Sequence, residues 1–223
     1  MNEKPPKVMT SLRSYARVHG RMTLAQQKAL TESEGNQDLL LNKNKPVADW
    51  KDVFANTQPV VCDVGFGMGQ QLYEWAILHP QVNFVGVEIY RPGVACLLRQ
   101  LQQQKITNVR LVAADIFTLF MQFFPPKGFT TVTTMFPDPW PKQRHQKRRL
   151  CLQSSFVAGI RKVLQDNGVW YVSTDIESYA QDIQHYLDQE KEFATIEKHP
   201  FLDAYGTRPP SKYEQFGLNR GHK

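Results

Sequence analysis

Val60-Val61-Cys62-Asp63-Val64-Gly65-Phe66-Gly67-Met68-Gly69 is the stretch on which the fold turns. Its first half is apolar without alternation, as in a strand buried on both faces of a parallel sheet. Its second half places glycine at every other position. Such a loop lets the backbone turn sharply and approach a ligand that any Cβ would displace. Alone the pattern is weak, because dinucleotide-binding loops also follow a strand and open a helix.

Four more runs of the same character follow, at 84–87, 109–113, 131–136 and 169–173. Stretches suited to helices lie between them, at 70–78, 93–104, 116–123 and 152–164, with another expected after Asp175 to about residue 190. Asp166-Asn167-Gly168 supplies a turn into the fifth run. This alternation predicts βαβ units: a doubly wound α/β fold, Rossmann-like, with a mostly parallel sheet and helices on both faces. Upstream, Thr23 is placed to cap a short helix to about residue 31, and 32–58 is polar and turn-rich with no clear period. Residues 1–22 read as a flexible basic arm, and 23–223 as a single domain with a basic tail.

A chain of 223 residues supports one sizeable core but not two ordinary enzyme domains. No apolar run approaches the ~20 residues that span a bilayer. Cys62, Cys96 and Cys151 are scattered and form no C-x-x-C pair, which argues against a disulfide framework or a metal site and favours a reducing cytoplasm. The net charge of +6 is unevenly spread. Residues 1–30 carry +5, residues 142–149 carry +5 and residues 206–223 carry +3, which leaves −7 on the rest. An acidic body with basic outgrowths fits a polyanion held by particular segments.

Acids near the strand ends sharpen the glycine loop. Glu88 ends the second run, where a carboxylate accepts ribose hydroxyls. Asp115 follows the third, where a base would lie. Asp63, two residues before Gly65, would repel a pyrophosphate but attract the ammonium of a methionine moiety, and a sulfonium favours the same field. After the fourth run comes Phe136-Pro137-Asp138-Pro139-Trp140-Pro141-Lys142. Its prolines stiffen a platform on which Asp138 stands beside an aromatic ring, a pairing suited to an extruded base. The cationic run Arg144-His145-Gln146-Lys147-Arg148-Arg149 adjoins it and is placed to contact phosphates. Thr174-Asp175 follows the fifth run, and Ser211-Lys212-Tyr213-Glu214 mixes charge, hydroxyl and aromatic groups near the end.

Together these motifs resemble the bacterial tRNA (guanine-N7)-methyltransferase family, from Ser14 to His222. The resemblance implies a class I methyltransferase using S-adenosyl-L-methionine, with S-adenosyl-L-homocysteine as product, on the tRNA variable-loop guanine usually numbered 46. It assigns Asp63, Gly65, Gly67, Gly69, Glu88, Asp115 and Asp138 to the cofactor, with Asp138 also the catalytic residue. It assigns Lys142, Arg144, His145, Gln146, Lys147, Arg148, Arg149, Asp175, Ser211, Lys212, Tyr213 and Glu214 to the substrate. It further implies a cytoplasmic monomer or homodimer with no membrane or metal partner. Three departures stand out: Asp63 replaces the family's usual Glu, Ser211 replaces Thr, and the family continues past Lys223 into an apolar segment. The sheet is therefore expected without its last strand. Two other readings stay open at this point, an inactive paralogue that binds cofactor and RNA and a small-molecule methyltransferase. A nicotinamide dehydrogenase is disfavoured because no further segment resembles a substrate domain.

Overall fold

The five apolar runs pair into one sheet. The computed structural model describes residues 13–15, 22–35 and 39–196. In it β1 (Val60–Val64), β2 (Asn83–Val87), β3 (Val109–Val112), β4 (Phe129–Met135) and β5 (Leu164–Ser173) lie in the order β3-β2-β1-β4-β5. Every pairing is parallel. β1 and β2 are buried along their whole length, which is why their sequences do not alternate. Leu39 and Leu41 bond through their backbones to Leu111 and occupy part of the outer edge of β3.

β5 starts earlier than the expected 169. Its register jumps from Phe129↔Leu164 to Thr131↔Val169, so residues 165–168 loop out. Asn167 adopts a φ of 62° there, which makes the turn expected at Asp166-Asn167-Gly168 a bulge within one strand.

Seven helices cover the sheet among the described residues: α1 (Leu24–Gly35), α2 (Trp50–Phe54), α3 (Gln70–Leu78), α4 (Arg91–Gln103), α5 (Ile116–Gln122), α6 (Ser154–Val163) and α7 (Glu177–Leu187). On one face Leu72, Trp75, Leu97, Leu98 and Leu101 of α3 and α4 pack on Val61 and Phe84, with α1 outside them. On the other, Phe120, Phe156, Ile160 and Ile183 of α5, α6 and α7 pack on Val85 and Val132. Fully burying each such side chain contributes about 2 kcal/mol relative to exposure.

Thr23 caps α1 as expected. Its Oγ1 accepts the Gln26 N–H at 3.2 Å, and Gln26 Oε1 accepts the Thr23 N–H at 2.9 Å. The helix runs to Gly35, past its expected end. Within 32–58 the sequence shows no period, yet α2 forms there, capped by Asp49 and burying Trp50 and Phe54. Five residues are too few to display a helical repeat. The expectations of a flexible arm over 1–22 and of a missing last strand fall largely or wholly outside the described residues.

Candidate cofactor and nucleic-acid site

Because all five strands run in one direction, the residues that follow them gather at one edge of the sheet. The glycine loop follows β1, Glu88 follows β2, Asp115 follows β3, Asp138 follows β4 and Asp175 follows β5.

Gly65 and Gly67 hold φ values of 81° and 61°, in the left-handed region. A Cβ built on either would meet nothing within 4 Å, so the space before the loop is open. That open cradle fits a ligand approaching the backbone. Behind the loop the situation reverses. A Cβ on Gly93, in the first turn of α4, would lie 2.0 Å from the Gly67 carbonyl oxygen. Helix and loop therefore touch backbone to backbone, a contact the sequence reading did not anticipate.

Glu88 fastens the same junction. Its Oε2 accepts the Gly67 N–H at 2.7 Å, and its Oε1 accepts the N–H groups of Ile89 and Tyr90 at 2.7 and 2.8 Å. Oε1 is thereby filled, and Oε2 keeps a second lone pair for a ribose hydroxyl. Asp115 is also partly committed, since its Oδ1 accepts the Phe117 N–H at 2.9 Å and caps α5. Beside it opens a cavity of 640 Å³ lined by Ile89, Arg91, Ala113, Asp115 and Thr118, with Lys43 and Asn44 contributed by the segment before α2.

Asp63 is buried at 3% exposure and accepts a 2.7 Å hydrogen bond from the Thr133 hydroxyl on β4. Burial pushes its carboxyl up to about 7, and the Glu88 charge adds to the rise, while the Thr133 hydroxyl opposes it. Thr133 was not singled out by sequence, because the residue opposite Asp63 depends on strand order.

The loop after β4 carries Asp138 exposed, between two residues with left-handed backbone, Phe136 at φ 49° and Trp140 at φ 43°. Such backbone costs about 1–3 kcal/mol per residue and concentrates at functional sites. The Phe136 N–H donates to the Ser173 carbonyl at 2.7 Å, which ties this loop to the end of β5 and the Asp175 loop. Trp140 donates its indole N–H to the Ser14 carbonyl at 2.9 Å, lies edge-on to His145, and takes the Arg148 guanidinium over its ring at 5.0 Å.

The basic run coils as a 3-10 helix over Gln143–Arg148 that buries nothing. Lys142, Arg144 and Lys147 are exposed, and His145, Gln146 and Arg148 are half-exposed. Desolvation lowers the His145 pKa, and the charges of Arg144, Arg148, Lys142 and Lys147 lower it further. Arg149 corrects the expectation that the whole run faces phosphates. It is 1% exposed, and its guanidinium is engaged inside the protein. Ser211, Lys212, Tyr213 and Glu214 lie outside the described residues.

No helix of the described residues is long and apolar enough to cross a membrane, and no group of three or more His, Cys, Asp or Glu there has metal-site geometry.

A parallel sheet in this order, with a glycine loop after its first strand and an acid near each strand end, defines a doubly wound Rossmann-like fold with a ligand site at one sheet edge, the arrangement expected of a class I methyltransferase. Residues 57–223 match the family model described as "Putative methyltransferase". The chain is 36% identical over 217 residues to the tRNA (guanine-N(7)-)-methyltransferase of Aliivibrio salmonicida, covering 97% of this chain and 90% of that one. It is 33% identical over 221 residues to the enzyme of that name from Colwellia psychrerythraea, covering 99% of this chain and 89% of that one. Among solved structures, a 16S rRNA (adenine(1408)-N(1))-methyltransferase from Catenulisporales acidiphilia matches with a TM-score of 0.46 and 20% identity, over 74% of this chain and 70% of that one. The chain belongs to the tRNA (guanine-N7)-methyltransferase family.

Proposed function

We infer that this chain transfers a methyl group from S-adenosylmethionine to N7 of a guanine in tRNA, with the variable-loop position 46 as the target. The observation that carries the reading is the shared edge: an open glycine cradle after β1, acids following the other four parallel strands, and an exposed cationic turn next to the rigid Asp138 loop. When bound, the cofactor supplies an electrophilic methyl on a positively charged sulfur. Guanine N7 has a free lone pair and no proton, so attack requires no general base. The chain's work is alignment and charge compensation. The glycine loop and Asp63 hold the methionine end, Glu88 the ribose, and Asp115 with its cavity the adenine. Asp138 accepts hydrogen bonds from the purine and stabilises the positive charge that develops on it. Lys142, Arg144, Lys147 and Arg148 hold phosphates. Asp175 meets the substrate from the neighbouring loop.

The reaction is tested by incubating the protein with radiolabelled cofactor and bulk tRNA, then with tRNA carrying 7-deazaguanine at position 46. Counts should appear in the first and vanish in the second. Equal labelling of both rejects the N7 assignment, and no labelling of either rejects the activity.

Asp63 gives cofactor binding a pH dependence. Its folded pKa, about 7, stands above the ordinary 3.8, so this group favours the folded protein at low pH and that contribution is lost as pH rises from about 4 to 7. An ammonium placed beside it stabilises the ionised form and draws the proton off. Cofactor affinity should therefore fall by up to about tenfold per unit as pH drops below 7, with proton release detectable by calorimetry in buffers of different ionisation heat. Asp63→Asn should flatten the profile. A flat wild-type profile between pH 5.5 and 8 refutes the ammonium contact.

A further inference from the structure

Arg149 lies within the basic run but is directed away from it. Its Nε donates to the Pro139 carbonyl at 2.9 Å, one residue beyond Asp138. Its NH1 pairs with Asp182 of α7. Its guanidinium lies 4.7 Å from the ring centre of Tyr179, also of α7, whose hydroxyl accepts the Cys151 N–H at 3.2 Å. The Arg149 side chain is 2% exposed, whereas Asp182 is 50% exposed. A buried cation with three fixed partners is costly unless each partner is in place, so the arrangement has little freedom to relax. The forked guanidinium is what permits it, because one planar group reaches a carbonyl and a carboxylate while stacking on a ring.

One partner lies in the Asp138 loop and the other two in α7, the helix that follows the Asp175 loop. Pro139 is in the loop that carries Asp138, and α7 begins two residues after Asp175. We propose that Arg149 is a positioning residue: through Pro139 and Asp182 it fixes the Asp138 loop against α7 and so sets Asp138 relative to Asp175, without itself contacting RNA. This rests on the methyltransferase reading above. Displacing a reacting group by about 1 Å costs about 10²-fold in rate. The prolines stiffen the Asp138 loop, but the left-handed residues at its two ends, Phe136 and Trp140, are not held by local preference. Arg149 adds a tether from the α7 side to the bonds that Phe136 and Trp140 make.

Arg149→Lys keeps the charge but replaces the fork with one ammonium that cannot serve Pro139 and Asp182 together. The expected result is a kcat on tRNA lowered at least about tenfold, with the tRNA KM and the salt slope of binding within about twofold of wild type. Arg144→Ala/Lys147→Ala should instead raise KM and reduce the salt slope. Should Arg149→Lys fail to fold, Asp182→Asn at the half-exposed end of the tether should give the same split between kcat and KM. The indole N–H resonance of Trp140, next in sequence to Pro139, should shift in either variant. That signal is independent of methyl transfer, so an inactive wild type would reject the functional reading, whereas an unmoved resonance would reject the tether. Wild-type kcat, or a loss confined to tRNA affinity and salt slope, overturns the proposal.

Discussion

Asp138→Ala is expected to lower methylation of tRNA about 10²- to 10³-fold, the usual cost of removing one group that stabilises charge in a transition state. The side chain is exposed, so truncation opens no cavity. The melting temperature should move by no more than a few degrees. Cofactor affinity should fall less than turnover, because the glycine loop, Glu88 and the cavity beside Asp115 do not depend on this side chain. Asp138→Asn separates two parts of the role. It keeps a carbonyl acceptor for the purine edge but loses the charge that compensates the methylated ring, so its kcat should lie between wild type and alanine. Single-turnover measurements at saturating cofactor and tRNA isolate the chemical step. If alanine turns over at the wild-type rate, Asp138 has no part in the chemistry and the loop serves only to shape the cleft.

The five strands were legible because burial on both faces removes alternation and leaves short apolar runs, as along Val60–Val64. Their parallel sense followed from the helices between them. The acids were legible because a parallel sheet brings every strand end to one edge, whatever the strand order. Contacts that depend on that order were not. Thr133 meets Asp63 only because β4 lies beside β1. Gly93 resembled an ordinary helix glycine, since no local pattern reveals that its α-carbon faces the Gly67 carbonyl. Arg149 is indistinguishable from its charged neighbours in the run, because cations without apolar spacing carry no sign of which one turns inward. Its adjacency to Leu150 and Cys151, both buried, was the available signal. α2 is too short to show a helical repeat, although Asp49 before Trp50 is a capping residue.

Gly93→Ala should impair the site from behind. In an ordinary helix the change would be favourable, since alanine exceeds glycine by about 1 kcal/mol in helix propensity. Here the added methyl would stand 2.0 Å from the Gly67 oxygen and 2.9 Å from its carbon, well inside contact distance. Either α4 or the loop must retreat. α4 is anchored by Val94, Leu97, Leu98 and Leu101, none of which is exposed at all, whereas Gly67 faces open space. The loop is the part that gives. Its movement strains the 2.7 Å bond from the Gly67 N–H to Glu88 and shifts the backbone on which the cofactor lies. Overpacking of about 1–3 kcal/mol outweighs the propensity gain, so the variant should also be slightly less stable. Cofactor affinity should fall about tenfold to a hundredfold, measured by calorimetry on protein shown to be folded. Gly159→Ala provides the comparison. Its methyl would strike the Phe120 ring at 2.1 Å on the opposite face of the sheet, so it should cost stability while sparing cofactor affinity in the folded fraction. Equal cofactor affinity in Gly93→Ala and wild type would mean that the glycine loop does not bear the cofactor, and the placement of the methyl donor over β1 and β2 would fall with it.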